Sequence, residues 1–230
     1  MTKGAPIPQK WDHETDVIVI GAGTAGFPAA MMAAEAGANV TILELLPYAA
    51  PSLGLINVGP ASAGTDTQKE QGIDDTPEDF YKDGVERALG DPELWKVFTD
   101  NQLDTYQWLK KIGVTFKQLT IASGMSVPRS HQVIPPDVIK VLDDTARAKG
   151  VKLMKETPVT RLVLDEKSGR IRGVQVEQRG KTRFFGARKG VVLASGGFSL
   201  NPELLARFVP PMSKARALVG AGCNGDGLKM

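Results

Sequence analysis

The clearest hydrophobic pattern lies near the start of the chain, where two short apolar runs flank an alanine-rich stretch. Residues 17–20 form a continuous β-branched run, which is typical of a parallel strand buried on both faces. Ala30 and Ala33 are small residues on a predicted helix that Gly37 ends, and residues 40–43 predict a second buried strand. The pattern therefore predicts a strand, a helix and a second strand of a parallel sheet.

The middle of the chain has a helical pattern. Residues 76–89 and 91–113 predict two helices, since each segment opens with a capping residue followed by proline. The acids Asp74 and Asp75 are interpreted as a solvated approach to the first of these helices. Apolar side chains of the second helix are predicted to pack inward: Leu94, Val97, Phe98, Leu103, Tyr106, Trp108 and Leu109.

The last third returns to strands. A helix is predicted over about 136–149, and from residue 151 polar and apolar positions alternate and break at "DEKSGR" and "QRGK", which predicts a β-meander. Residues 190–194 predict another buried strand. We expect an α/β fold: a Rossmann-like parallel dinucleotide-binding sheet with a β-meander and a helical insertion over about 66–135, all in a single domain over residues 1–230.

Three glycines follow the first predicted strand at the spacing Gly21-x-Gly23-x-x-Gly26. In dinucleotide-binding folds these positions serve the tight turn, the approach of backbone to a pyrophosphate, and close packing of the next helix. Glu44 ends the second strand at about the distance expected for a carboxylate that binds ribose hydroxyls, and it disfavours a 2′-phosphate. A glycine-rich turn alone also occurs without any ligand. The agreement of strand, turn, helix and acid favours a dinucleotide site.

Composition narrows the function classes. The 230 residues include 28 basic and 26 acidic residues without a block of like charge, so nothing indicates a nucleic-acid or membrane-surface partner. Cys223 is the one cysteine, and with two histidines it cannot supply a metal cluster, so no metal is expected. The N-terminal residues lack an apolar signal region and no apolar run is long enough to span a bilayer, so we expect a cytoplasmic protein.

Two further segments are rich in small residues. Residues 45–65 contain many Pro, Gly, Ser and Ala residues and predict either a loop close to a ligand or a flexible connection. Ser195-Gly196-Gly197 follows a predicted strand, which suggests backbone near a ligand at the carboxyl end of the sheet. Gly225-Asp226-Gly227 predicts a turn that starts a helix.

Taken together, these segments resemble the flavoprotein family of fumarate reductase, succinate dehydrogenase, L-aspartate oxidase and 3-ketosteroid dehydrogenase. The resemblance rests on the fingerprint from Gly21 to Glu44, "GIDDTPEDFYKD", "SVPRSH" at 126–131, "VVLASGGFSLN" at 191–201 and the final "GDGLKM". It implies FAD as the cofactor, and an oxidoreductase that reduces or forms a carbon–carbon double bond in a small-molecule substrate with an activated C=C or CH–CH bond.

The resemblance also implies which positions hold FAD. The pyrophosphate would lie on the glycine-rich turn, the ribose on Glu44, the adenine near the backbone of Val159, and the rest of the cofactor near the two later turns. The implied residues are Gly21, Ala22, Gly23, Thr24, Ala25, Gly26, Glu44, Val159, Ala194, Ser195, Gly196 and Asp226. Because residues 45–65 contain no histidine, FAD is expected to be non-covalent.

Catalytic residues are not identified by the sequence. The resemblance implies a capping domain after the "GDG" turn that supplies the proton donor and the substrate clamps, and we expect that domain to be missing from this chain or supplied by a partner chain. Ser126, Arg129 and His131 are interpreted as loop groups that bond backbone or touch FAD. We expect no turnover by the chain alone. The alternatives are a non-catalytic truncated or split nucleotide-binding fragment and an NAD-dependent dehydrogenase.

Overall fold

The residues that the structure describes form two sheets and seven α-helices. A computed structural model describes residues 4–49 and 59–230. The strands are β1 His13–Ile20, β2 Val40–Leu43, β3 Leu119–Thr120, β4 Ser130–His131, β5 Lys152–Met154, β6 Val159–Asp165, β7 Arg170–Gln178 and β8 Lys181–Leu193. The helices are α1 Gly26–Glu35, α2 Asp66–Glu70, α3 Pro77–Lys82, α4 Pro92–Lys111, α5 Pro135–Ala148, α6 Pro202–Phe208 and α7 Asp226–Lys229. A π-helical turn follows α3 at Asp83–Arg87, and a 3₁₀ turn follows α6 at Pro210–Lys214.

The larger sheet has six strands in the order β5-β2-β1-β8-β7-β6. Strand β1 pairs in parallel with β2 on one side and with β8 on the other. Its apolar residues Ile18 and Val19 are fully buried, and Phe27 and Ala30 of α1 are fully buried as well. The predicted α/β fold, with a mostly parallel sheet extended by antiparallel strands, is confirmed.

Strand β8 joins the parallel part of the sheet to the meander. Its first part pairs antiparallel with β7, and its later part pairs parallel with β1, with Ile20 opposite Leu193. The predicted strand at 190–194 is therefore the end of a longer strand. It was also predicted to be buried, which is wrong: Leu193 is 49% exposed, because the end of this strand borders an open cleft.

The first strand of the predicted meander was assigned to the wrong place. Residues 152–154 form β5, which pairs in parallel with β2 at the opposite edge of the sheet from β6. The helix α5 precedes this strand, and a helical connection allows the strand that follows it to lie parallel to its neighbour. The meander itself is β6, β7 and β8, with its turns at the two predicted breaks.

The chain forms two compact units, residues 1–55 with 142–230 and residues 56–141. The six-stranded sheet lies in the first unit, and α2, α3, α4, β3 and β4 lie in the second. The predicted helix starts are confirmed, since Thr76 and Asp91 cap α3 and α4 with their side chains and each precedes a proline. No helix of the described residues is both long and apolar enough to cross a bilayer.

The predicted packing face of α4 is partly wrong. Leu94, Val97 and Phe98 are exposed, whereas the helix buries Thr99, Gln102 and Tyr106. The amide of Gln102 accepts a hydrogen bond from the Ala63 N–H at 2.9 Å and donates one to the Ala63 carbonyl at 3.2 Å. A buried polar side chain is tolerated when its hydrogen bonds are satisfied, so hydrophobicity alone misidentified this face.

Candidate functional site

A cleft of about 660 Å³ opens in the first unit, where β1, β2 and β8 reach their carboxyl ends. This is the edge at which open parallel sheets bind ligands. The predicted FAD-binding residues line the cleft, with the exception of Gly26: Gly21, Ala22, Gly23, Thr24, Ala25, Glu44, Val159, Ala194, Ser195, Gly196 and Asp226. Residues far apart in the chain are thus brought to one site.

A different physical reason explains the glycine at each of the three positions Gly21, Gly23 and Gly26. Gly21 has φ of +104°, and a Cβ there would lie 2.4 Å from the carbonyl oxygen of Ala194. A Cβ on Gly26 would lie 1.9 Å from the carbonyl oxygen of Gly21, so α1 approaches the turn as closely as backbone allows. At Gly23 a Cβ would meet nothing within 4 Å. Gly23 lines the cleft, so the open space in front of it is available to a ligand.

Backbone donors face the cleft between β1 and α1. Within the described part of the chain, the N–H groups of Gly23, Thr24 and Ala25 donate to no protein acceptor. The first N–H groups of a helix have no partner inside the helix and carry its positive partial charge. A turn of this kind at a helix start is suited to bind a phosphate group.

Glu44 is buried, and it holds the glycine-rich turn in place. Its Oε2 accepts a hydrogen bond from the Ala22 N–H at 2.8 Å, and its Oε1 accepts one from the Leu46 N–H at 2.9 Å. An ionised carboxylate has about four acceptor positions, so Glu44 retains acceptor capacity toward the cleft. Sequence reasoning predicted the ribose role but not this bridge from the end of β2 to the turn after β1.

The segment before β6 forms another wall of the cleft. The Thr157 N–H donates to the carbonyl of Glu44 at 2.8 Å, which fixes Pro158 and Val159 beside the end of β2. Sequence reasoning named Val159 alone in this wall. The lining residues that it missed are Ile20, Leu43, Leu45, Thr157, Pro158, Thr160, Leu193, Ala221, Gly222, Cys223, Lys229 and Met230. Half of them lie next in sequence to a predicted residue, which is the signal that could have found those six.

The last turn of the chain packs against the end of β8. A Cβ on Gly227 would lie 2.3 Å from Ser195 Oγ and 3.2 Å from Leu193. Lys229 in α7 places its Nζ 3.3 Å from Asp226 Oδ1. Three charged side chains therefore line the cleft within the described residues: Glu44, Asp226 and Lys229.

The second unit contains a buried charge cluster that includes two of the singled-out loop residues. Arg129 is fully buried and donates through Nε and Nη2 to both carboxylate oxygens of Asp75, each at 2.7 Å. Its Nη1 donates to Asp83, which also accepts from the N–H and hydroxyl of Ser126. The prediction of a solvated Asp75 is wrong, because the fixed guanidinium compensates a carboxylate taken out of water.

The protonation of this cluster follows from its hydrogen bonds. Burial alone would raise the pKa of Asp83, but hydrogen bonds from Arg129 and Ser126 outweigh burial and lower that pKa to about 2. Asp83 is therefore ionised near neutral pH. Asp75 and Asp83 share the buried guanidinium of Arg129, and Asp83 also pairs with the exposed Arg87 at 2.8 Å. Ser126 is thus bonded to a carboxylate whose lowered pKa makes it a weak base, so the pair is poorly suited to activate a nucleophile.

His131 follows Arg129 by two residues and is fully buried. Its ring is tilted against Tyr106 and meets Phe116 edge to face. Its Nδ1 lies 2.7 Å from the carbonyl of Arg129, so that nitrogen carries the proton and donates. Its Nε2 lies 2.9 Å from the Thr65 hydroxyl, which therefore donates to it. Burial lowers the pKa of His131, which favours this neutral form. These bonds agree with the interpretation of loop groups that bond backbone.

The cleft and its glycine-rich turn agree with a known protein family. The sequence model of the family described as "FAD binding domain" matches residues 16–230. The chain belongs to this FAD binding domain family. The match includes the end of β1 from residue 16, the glycine-rich turn, β2 and every later segment that lines the cleft. The predicted resemblance to FAD-dependent flavoproteins is thereby confirmed.

Two curated relatives of this FAD binding domain are reductases. Fumarate reductase (cytochrome) of Shewanella frigidimarina is 32% identical over 94% of this chain and 39% of the relative. Urocanate reductase of Eggerthella lenta is 34% identical over 95% of this chain and 38% of the relative. The chain thus spans less than two fifths of the length of either relative.

Two solved structures share the fold of this FAD binding domain. A 3-ketosteroid-Δ4-(5α)-dehydrogenase from Rhodococcus jostii RHA1, in complex with 4-androstene-3,17-dione, matches with a TM-score of 0.91 and 27% identity, over 99% of this chain and 56% of that one. The open conformation of a flavocytochrome c3 fumarate reductase matches with a TM-score of 0.87 and 29% identity, over 96% of this chain and 40% of that one.

One sequence expectation remains outside the described structure. The loop predicted at 45–65 includes residues 50–58, which lie outside the described residues. Whether that part of the loop lies close to a ligand stays a prediction.

Proposed function

We propose that this chain binds FAD non-covalently in the cleft and is the FAD-binding part of an oxidoreductase that reduces or forms a carbon–carbon double bond. The observation that carries the proposal is the convergence of the fingerprint turn, Glu44, Val159, the turn after β8 and Asp226 on one cleft. These segments are separated by up to 200 residues of chain in roughly the order that the flavoprotein resemblance implies.

The residues present fit an FAD molecule. The N–H groups of Gly23, Thr24 and Ala25 would bind the pyrophosphate, for which the open space at Gly23 leaves room. Glu44 would accept hydrogen bonds from the ribose hydroxyls, and the backbone of Val159 would lie at the adenine. The remainder of the cofactor would contact Ala194, Ser195, Gly196 and Asp226. Apolar lining residues such as Ile20 and Leu43 would exclude water from the bound adenosine.

The reaction class is proposed from the relatives. Two of them are named reductases of fumarate and urocanate, and the similar solved structure is a ketosteroid dehydrogenase. The reactions that these three names describe take place at a carbon–carbon bond of the substrate. Bound FAD supplies hydride transfer, and the chain's part is to bind and orient the cofactor. We propose that the groups that move the proton and clamp the substrate come from a further domain or a partner chain. The lack of turnover by the chain alone and its cytoplasmic location stay predictions from the sequence.

The purified chain is expected to carry FAD or to take it up, and to release it intact on denaturation. The reason is that the proposed contacts are hydrogen bonds and apolar packing without a covalent link. Absorbance and mass spectrometry of the supernatant after denaturation would measure the released cofactor. Bound NAD without affinity for FAD would contradict the proposal and favour the nicotinamide alternative, and flavin that stays with the denatured protein would contradict non-covalent binding.

Glu44→Ala is expected to weaken FAD binding by about ten- to a hundredfold. A hydrogen bond to a charged acceptor contributes roughly 1.5–3 kcal/mol, and each 1.4 kcal/mol is about a tenfold change in the dissociation constant. Titration of apoprotein with FAD would measure the loss. Glu35→Ala is the matched control, because Glu35 is exposed at the end of α1 and outside the cleft lining. Circular dichroism would show whether loss of the bond to Ala22 also disturbs folding, and an unchanged dissociation constant would rule out the ribose role.

A further inference from the structure

The charge balance of the cleft is unfavourable for its proposed ligand. Within the described residues, the lining carries two carboxylates, Glu44 and Asp226, against one ammonium group, Lys229. FAD brings two further negative charges on its pyrophosphate. Charges that share a partly water-excluded cleft interact more strongly than charges in bulk water. The position of Lys229 therefore has a large influence on the net potential that the ligand meets.

The backbone that carries Lys229 is fixed against the wall of the cleft. Gly227 packs so closely on the end of β8 that a Cβ would overlap Ser195 Oγ at 2.3 Å and lie in tight contact with Leu193 at 3.2 Å. The N–H of Leu228 donates to the Gly225 carbonyl at 3.0 Å, which closes the first turn of α7. The ammonium lies 3.3 Å from Asp226 Oδ1, so the side chain is directed along α7 toward another lining residue.

The ion pair with Asp226 is a weak explanation for a lysine at this position. It joins side chains that are 48% and 39% exposed, and such surface pairs contribute little to stability.

We propose that Lys229 is a cofactor-binding residue whose ammonium group faces the anionic part of the dinucleotide and offsets the carboxylates of Glu44 and Asp226. This inference rests on the proposed function of the cleft as an FAD site. It adds a long-range electrostatic contribution to the backbone donors at the start of α1. Lys229 thereby makes FAD affinity depend on ionic strength, since salt screens charges that are partly exposed.

Lys229→Gln is the test, and Lys214→Gln is its matched control. Both lysines are exposed, and Lys214 does not line the cleft. The dissociation constant of FAD would be measured by titration of apoprotein at low and at high salt, with ADP as a competing ligand. For Lys229→Gln we expect roughly three- to tenfold weaker binding of FAD and ADP at low salt. The difference from the unmodified chain should shrink at high salt, and Lys214→Gln should behave like the unmodified chain.

The outcomes separate this inference from the proposed function. If the unmodified chain and Lys214→Gln bind FAD and Lys229→Gln binds it with the same dissociation constant and salt dependence, the inference is overturned and the FAD site stands. An equal loss at low and high salt would also overturn it, because that result indicates a change in packing. Failure of the unmodified chain to bind FAD at all would overturn the proposed function itself.

Discussion

Gly23→Val will lose FAD affinity by roughly a hundredfold or more, because its side chain will occupy the space that the pyrophosphate needs beside the backbone. The structure separates this effect from misfolding. A Cβ at Gly23 meets no atom within 4 Å, whereas a Cβ at Gly21 or Gly26 would collide with backbone. The free energy of unfolding in the absence of FAD should therefore change little. FAD titration and urea denaturation of the same preparation measure the two quantities.

Gly190→Val is the matched control for this substitution. Gly190 lies in β8 opposite Val17, a Cβ there also meets nothing within 4 Å, and it does not line the cleft. Valine suits a strand, so the control should fold and bind FAD as the unmodified chain does. Full FAD affinity in Gly23→Val would show that the pyrophosphate does not approach this turn.

The part of the fold that sequence predicts well is the part determined by local patterns. The first strand, the glycine-rich turn and the second strand lie close together in the sequence, between residues 13 and 43. Each of them has a local physical requirement. Gly26 is required because a Cβ there would lie 1.9 Å from the carbonyl oxygen of Gly21 in the same turn. The helix starts at Thr76 and Asp91 are predictable for the same reason, since capping involves residues only two or three positions apart.

The errors concern pairing between distant residues. Nothing in residues 152–154 distinguishes a strand of the meander from a strand at the far edge of the parallel sheet. Alternation of polar and apolar residues indicates that one face of a strand is buried, but it does not indicate which strand pairs with it. The long β8 has the same ambiguity, since its antiparallel partner Gly173 comes shortly before it in the chain and its parallel partner Val17 lies near the start of the chain. Pairing is decided by tertiary context.

The candidate site divides in the same way. Sequence motifs predicted the cleft residues that lie in or beside backbone turns. Thr157 and Lys229 also line the cleft, but contacts that only the folded chain reveals bring them there. Asp75 shows the limit most clearly. As one of two adjacent acids before a helix it suggests a solvated position, yet its partner Arg129 lies 54 residues later in the chain. Charge partners at that separation leave no trace in local composition.

Arg129→Met is expected to lower the free energy of unfolding by roughly 3–5 kcal/mol, because it leaves the buried carboxylate of Asp75 without its guanidinium and leaves Asp83 with the exposed Arg87 as its cation. Urea denaturation, followed by the fluorescence of Trp95 and Trp108 in the same unit, would measure the loss.

Arg147→Met is the matched control: its ion pair with Asp143 is within one exposed helix turn, and its removal should change stability by less than about 1 kcal/mol. Should Arg129→Met fail to fold, Arg129→Lys tests the same point, because lysine keeps the charge but cannot reproduce the two parallel bonds to Asp75 and should give a smaller loss. A change in Arg129→Met no larger than in the control would show that the buried pairs contribute nothing beyond a surface pair.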